Sequence, residues 1–383
     1  MPAPQGEPAI WKTAMSGPLQ GVKVIELVGI GSAPFCGMML ADMGADVIRV
    51  QRPGSGAADL RFDVTARGKR TVTIDLKTPA GVAALLALAD PADVLLEGFR
   101  PGVMERLGVG PEVCLARNPR LVFGRVTGWG QYGPQSTTAG HDLNYIAITG
   151  MLGAMGRPDE SPAPPLNLLG GYGGGAMMLA FGVACALLEA RRSGQGQVID
   201  AAMTDGAALL GAVTFGLKAQ GQWSTRRGSN LYDGAAPFYD TYECSDGRHI
   251  SLASVEPKFY SRLLACLGLD DAAYARQMDK RQWPELKRAL AALFVTRTRA
   301  QWVALLGGED VCFAPVLDLD EAPRHPHNVA RGTFIEVEGV TQPAPAPRFS
   351  RTPGEVRGAG QGEPSSVESV LAGWGAVAAR EAA

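Results

Sequence analysis

Apolar positions along the chain come in two rhythms. Val22–Val28, Ala45–Val50, Thr71–Leu76, Ala92–Phe99 and Arg120–Val126 are short runs, rich in β-branched and aliphatic residues and apolar on consecutive positions. Phe35–Met43, Gly81–Ala89 and Pro111–Arg117 fall between them with apolar residues at helical spacing. Strands that are apolar on both faces and alternate with helices predict a parallel sheet covered on both sides, a Rossmann-like α/β domain. From 141 to 220 the rhythm is mainly helical, interrupted by a Pro/Gly loop at Arg157–Tyr172 and a strand at Gln197–Met203. A Gly-rich break follows. Tyr239–Cys244 and His249–Ala253 then read as a strand pair around Ser245-Asp246-Gly247, with helices to about Leu306. The expected organisation is a flexible arm at 1–14, a large α/β domain at 15–223, a linker at 224–237 and a smaller α+β domain at 238–325. A C-terminal segment at 326–383, Pro- and Gly-rich over 341–365, returns to the large domain.

Composition narrows the function classes. There are 49 glycines among 383 residues, scattered in short clusters between apolar runs, which suits tight turns and excludes collagen. With 36 basic and 38 acidic residues the net charge is −2, so no global field draws nucleic acid or an anionic membrane. The six cysteines are far apart and form no C-x-x-C pair, so buried free thiols are expected. The opening MPAPQGEPAIWKTA lacks the basic start and apolar run of a signal peptide, which makes the cytoplasm the expected compartment. Ala176–Leu188 is apolar but short for a membrane span and reads as a buried helix.

Ligands of such sheets lie beyond the carboxyl ends of the strands. Three of those ends carry a cation, Arg52, Lys77 and Arg100, a set that suits an anionic ligand such as phosphate. Gly29-Ile30-Gly31 follows the first strand, but its spacing is not the dinucleotide fingerprint, and a nicotinamide oxidoreductase is disfavoured. His141-Asp142 opens a helix after Ala139-Gly140, where the terminal dipole favours the neutral, proton-accepting imidazole. His325 and His327 sit between prolines without a third ligand, and His249 faces outward from a strand, so no metal site is expected. Asn167-Leu168-Leu169-Gly170-Gly171-Tyr172-Gly173-Gly174-Gly175 leads into the long apolar helix, at an entropic cost that close packing or ligand approach must justify. Glu256 precedes Pro257 at a helix start, and nothing local marks it as catalytic.

Several longer motifs recur in order: Gly17-Pro18-Leu19-Gln20-Gly21, Leu40–Ile48, Gly98-Phe99-Arg100-Pro101-Gly102, Thr127–Pro134 and Gly140–Tyr145. From about Met15 to Val370 the chain resembles the family III CoA-transferases and, within them, the α-methylacyl-CoA racemase branch. The resemblance implies an interlocked homodimer acting on acyl-CoA thioesters. Coenzyme A is then part of the substrate, and no cofactor, metal, nucleic-acid or membrane partner is needed. It implies His141 as one base, flanked by Asp142, with Glu256 tuning it. Arg52, Lys77, Arg100, Ile30, Asn167, Tyr172 and Tyr239 would bind substrate. The opposite base, an aspartate in a loop N-L-x-G-D-[FY]-G-G-G, falls at Gly171, which cannot accept a proton. The transferase branch is affected more, because its acyl anhydride forms on that same aspartate. Racemase-like chemistry leads. The alternatives are a one-base acyl-CoA isomerase or eliminating enzyme, a transferase homologue without its nucleophile, and a non-enzymatic acyl-CoA-binding homologue. Water or Tyr172 could stand in for the lost carboxylate.

Overall fold

The computed structural model describes residues 17–54, 62–269, 274–360 and 364–375; the expected arm at 1–14 lies outside them. Six strands form one parallel sheet: β1 (Lys23–Leu27), β2 (Asp46–Gln51), β3 (Arg70–Thr73), β4 (Val94–Glu97), β5 (Val122–Thr127) and β6 (Val198–Ala202). Their order is β3-β2-β1-β4-β5-β6. Successive residues feed opposite faces, as the unbroken apolar runs require. Val24, Val47, Val94 and Val122 meet the helices Ser32–Asp42 and Met178–Ser193, while Ile25, Ile48, Leu95 and Phe123 meet Pro79–Ala89 and Trp374.

The chain divides into two compact units, the first made of the described residues within 1–149, 166–210 and 326–383, the second of those within 150–165 and 211–325. This differs from the expected boundaries in three places, the first being that 211–223, expected in the large domain, belongs to the second unit. Residues 150–165 join the second unit because Arg157 pairs with Asp240 at 2.8 Å and Arg227 donates to the carbonyls of Gly153, Arg157 and Glu160. The expected linker at 224–237 is itself a bonded structure, with Asp233 accepting from the backbone N–H groups of Gly228, Ser229, Asn230 and Ala235. The second unit also holds an antiparallel sheet, β7 (Tyr239–Glu243), β8 (His249–Ala253) and β9 (Phe313–Pro315).

The C-terminal segment is fastened to the first unit by polar clips. Arg67 is buried, reaches Asp42 at 2.6 Å, and donates to Gln342 Oε1 at 2.8 Å and the Pro343 carbonyl at 2.7 Å. Trp374 Nε1 donates to Asp46 at 2.8 Å, and Lys23 Nζ to the Trp374 carbonyl at 2.8 Å.

The apolar helix is longer than its sequence suggests. Leu168–Ser193 is 26 continuous helical residues, long and apolar enough to cross a membrane. Leu179, Val183, Ala186 and Leu187 are nevertheless packed in the sheet core, as in a core helix of a folded domain. Cys185, on the same helix, is exposed rather than buried.

Candidate active site

The strand order reverses between β1 and β4, and a cavity of about 530 Å³ opens at their carboxyl ends. Gly29–Ser32 after β1, Gly98–Pro101 after β4 and Thr127–Trp129 after β5 form its floor, the place where open α/β sheets bind ligands. Gly31 has φ 79°, a left-handed turn that lets the chain pass from β1 directly into the helix Ser32–Asp42. Ile30 is 99% exposed at the cavity rim.

His141 is the N-cap of the helix Asp142–Ala147, and its side chain lines the cavity. Its backbone N–H donates to Asn144 Oδ1 at 3.0 Å, and its carbonyl accepts from Asn144 N at 2.8 Å. The His141 backbone and the Asn144 side chain hold this cap. Behind the turn, the Tyr145 hydroxyl donates to the Gly140 carbonyl, and its ring meets Trp129 edge-on at 4.8 Å. A Cβ at Gly128 would lie 2.0 Å from that ring, so glycine is needed there. Burial pushes the Tyr145 phenol up, the Arg100 charge opposes this, and Asp142 adds to it.

The glycine-rich segment is wound rather than looped. Leu168–Met177 is a π-helix continuous with Met178–Ser193, and Tyr172 N donates to the Asn167 carbonyl at 3.2 Å, five residues back. Gly174 packs on the helix Met203–Leu210, where a Cβ would come within 2.7 Å of Ala207 N. A Cβ at Gly175 would lie 2.9 Å from Ser32 Oγ, and one at Gly170 would lie 2.6 Å from Asp142 Oδ1. Gly171 differs from these three. Its φ is not left-handed, and a Cβ there would meet only Asp142 Oδ1 at 3.3 Å, Ser32 Oγ at 3.9 Å and Asn167 Cβ at 4.0 Å. Packing therefore explains these neighbours, and among the glycines of the run position 171 leaves the most room for a Cβ, provided Asp142 gives by a few tenths of an ångström.

The Gly171 peptide is held from both sides: its N–H donates to Asp142 Oδ1, and its carbonyl accepts from Ser32 Oγ at 2.6 Å. The other oxygen, Asp142 Oδ2, is buried without a hydrogen-bond partner among the described residues. His141, Asp142, Asn167, Gly171, Ile30 and Arg100 thus share one cavity.

The other expected residues fall elsewhere. Lys77 lines a second cavity of about 630 Å³ with Arg106, because the outer strand β3 ends at Thr73 and the chain then turns into the Thr78-capped helix Pro79–Ala89. Arg52 is exposed at the end of β2 and lines neither cavity. Tyr172 packs its ring on Phe35 at 4.7 Å, toward the core, and does not line the cavity. Glu256 and Tyr239 belong to the second unit, where Glu256 is the exposed N-cap of the helix Pro257–Leu267 with Pro257 at its first position. Sequence reasoning passed over Ser32 and Arg106. The Gly-Ser-Ala-Pro run after β1 is a helix-start signal that would have drawn attention to Ser32.

Comparison with known proteins adds the following. The profile of CoA-transferase family III matches residues 19–361. The chain is 47% identical over 336 residues to the alpha-methylacyl-CoA racemase of Mus musculus, covering 88% of this chain and 87% of that protein. It is 45% identical over 338 residues to the alpha-methylacyl-CoA racemase of Homo sapiens, with the same coverage of 88% and 87%. The crystal structure of a CAIB/BAIF family protein from Brucella suis superposes with a TM-score of 0.76 at 27% identity, covering 96% of this chain and 99% of that one.

Proposed function

The chain belongs to CoA-transferase family III, and from that premise we propose that it is an isomerase of the α-methylacyl-CoA racemase type, acting on the α-carbon of 2-methylacyl-CoA thioesters. One observation carries the reading at residue level: His141, Asp142 and Gly171 meet in a single cavity at the sheet's switch point, with Arg100 on its floor.

The thioester acidifies the α-carbon, so the protein must supply a base and a setting that tolerates the enolate. His141 takes the proton on one face. The bonds between its backbone and Asn144 fix the turn, and the residue lines the cavity. On the other face, residue 171 offers no group that can give or take a proton. Removal and return of the α-proton through His141 therefore proceed on one side, and net inversion is slow. Tyr172 does not supply the second group, since its ring is packed on Phe35. A transferase path through an acyl anhydride would need a carboxylate nucleophile at 171, and glycine provides none. Coenzyme A enters as part of the substrate, and this chemistry calls for no further cofactor.

Arg52, Lys77 and Arg100 follow β2, β3 and β4, which lie on one side of the sheet or next to its switch point, and suit the nucleotide phosphates. Arg106, beside Lys77 in the second cavity, joins that set. Arg52→Ala or Arg100→Ala is expected to raise KM for the acyl-CoA with little change in kcat. Loss of a charge-assisted bond is worth roughly 1.5–3 kcal/mol, about 10- to 150-fold. Steady-state kinetics decides this, and an unchanged KM in both variants rejects the placement.

We further propose that the protein works as a homodimer. Phe181 and Leu188 lie two turns apart on one face of the Met178–Ser193 helix and are 69% and 72% exposed, and Leu209 is 62% exposed. Large apolar side chains in such number suit a second copy of this chain. Sedimentation should give the dimer mass at micromolar concentration, and a folded monomer there contradicts the assignment.

A further inference from the structure

Three charged side chains are embedded in and beside the apolar sheet without any part in the proton transfer. Glu97, the last residue of β4, is 0% exposed, and Arg125, its register partner on β5, is 5% exposed. Glu97 Oε1 accepts from Arg125 Nε at 2.7 Å, and Oε2 accepts from the backbone N–H of Phe99 at 2.6 Å. The far side of the guanidinium donates to Glu105, Nη1 to Oε1 at 2.7 Å and Nη2 to Oε2 at 3.3 Å.

Mere packing does not call for this arrangement. The neighbouring strand positions Leu95, Leu96 and Phe123 fill the sheet with apolar groups, and a buried ion pair is commonly no more stabilising than well-packed hydrophobic residues. What the trio adds is position. Glu97 holds the N–H of Phe99, the residue before Arg100, and Arg100 lines the cavity that His141 also lines. Glu105 immediately precedes Arg106 in the short helix Val103–Arg106, and Arg106 lines the second cavity with Lys77. Arg125 grips both carboxylates, so it fixes the loop that carries one cation against the helix that carries the other. It also occupies the two acidic groups nearest these cations in sequence. Among the described residues, neither Arg100 nor Arg106 forms an ion pair with a carboxylate.

We infer that Glu97, Arg125 and Glu105 are positioning residues for nucleotide recognition: they set the spacing of Arg100 and Arg106 and keep both available for the phosphates of the coenzyme A moiety. The inference rests on the acyl-CoA reading above. It assigns this trio to binding and leaves the α-proton chemistry to His141.

The two roles separate when the substrate is shortened. Exchange of the α-proton for deuterium is measured with a 2-methylacyl-CoA and with the matching N-acetylcysteamine thioester, which keeps the reacting carbon and lacks the nucleotide. Glu105→Gln is the primary variant, because its side chain is 45% exposed and the change leaves the sheet interior intact. Glu97→Gln is the second, keeping an oxygen for the Phe99 N–H while removing the charge that Arg125 faces. Both should lower kcat/KM for the CoA ester by about 10- to 100-fold, nearly all of it in KM, the loss expected when a charge-assisted contact is misplaced. The shortened thioester should react as with the unmodified enzyme, within about twofold. Equal losses on both substrates in both variants would show a general structural role and overturn the inference. So would full retention of the preference for the CoA ester in Glu105→Gln. An unmodified enzyme with no preference for the CoA ester would instead reject the phosphate-binding reading, and the inference would fall with it.

Discussion

Gly171→Asp is expected to raise net inversion of a 2-methylacyl-CoA by roughly 10²- to 10⁴-fold, the range one positioned general base supplies. The backbone accepts the change, since the position has no left-handed φ and the new Cβ has only Asp142 Oδ1 at 3.3 Å as a tight neighbour. That neighbour also shapes the chemistry. A carboxylate at 171 would stand beside that of Asp142, so the new group must find a rotamer that separates the two negative charges. Asp142 Oδ1 keeps its bond from the residue 171 N–H, so the new side chain can take a place of its own. Gly170→Asp is the control. Its Cβ would lie 2.6 Å from the same carboxylate oxygen and 3.0 Å from Ile146, so it should lose stability and gain no inversion. Chiral chromatography of the hydrolysed product measures both.

His141→Ala should abolish deuterium exchange at the α-carbon, in the unmodified chain and in Gly171→Asp alike, a loss of at least about 10²-fold for the missing base. The fold should survive, because the bonds between the His141 backbone and Asn144 remain at the helix start in the variant. Lost exchange with an unchanged unfolding transition therefore reports chemistry. Proton NMR in deuterated buffer, beside a thermal melt, provides the check.

The parallel sheet was legible because its strands are apolar on both faces, a pattern that needs helices above and below. Errors at the ends have local causes. The β-rich pattern of β3 runs on to Leu76, but the strand ends at Thr73 and the chain turns toward Thr78, whose side chain caps the next helix with Pro79 at its first position. That turn also sends Lys77 to a different cavity from Arg100. The glycine run read as a loop because glycine carries no helical rhythm. Its winding depends on partners distant in sequence, such as Gly206, where a Cβ would lie 1.9 Å from the Gly174 carbonyl oxygen. The placement of 150–165 rests on pairs such as Arg157 with Asp240, 83 positions apart, which leave no local pattern. His141 and Asp142 stood out beside a helix start, and the motifs that resemble the family named the position of Gly171. Ser32, which grips the Gly171 carbonyl across 139 positions, is a contact made only by folding. Glu97 and Arg125 carry no local signal as a pair, because the β4–β5 register that joins them is set only by the fold.

The proposed mechanism is one-sided proton transfer through His141 at the α-carbon of an acyl-CoA. Its most direct test follows the (R)- and (S)-forms of one 2-methylacyl-CoA separately by NMR in deuterated buffer with the unmodified enzyme. One enantiomer should take up deuterium at the α-carbon with its configuration retained, while inversion of either form lags far behind. Rapid inversion of both enantiomers, persisting in His141→Ala, would place the bases elsewhere and contradict the account.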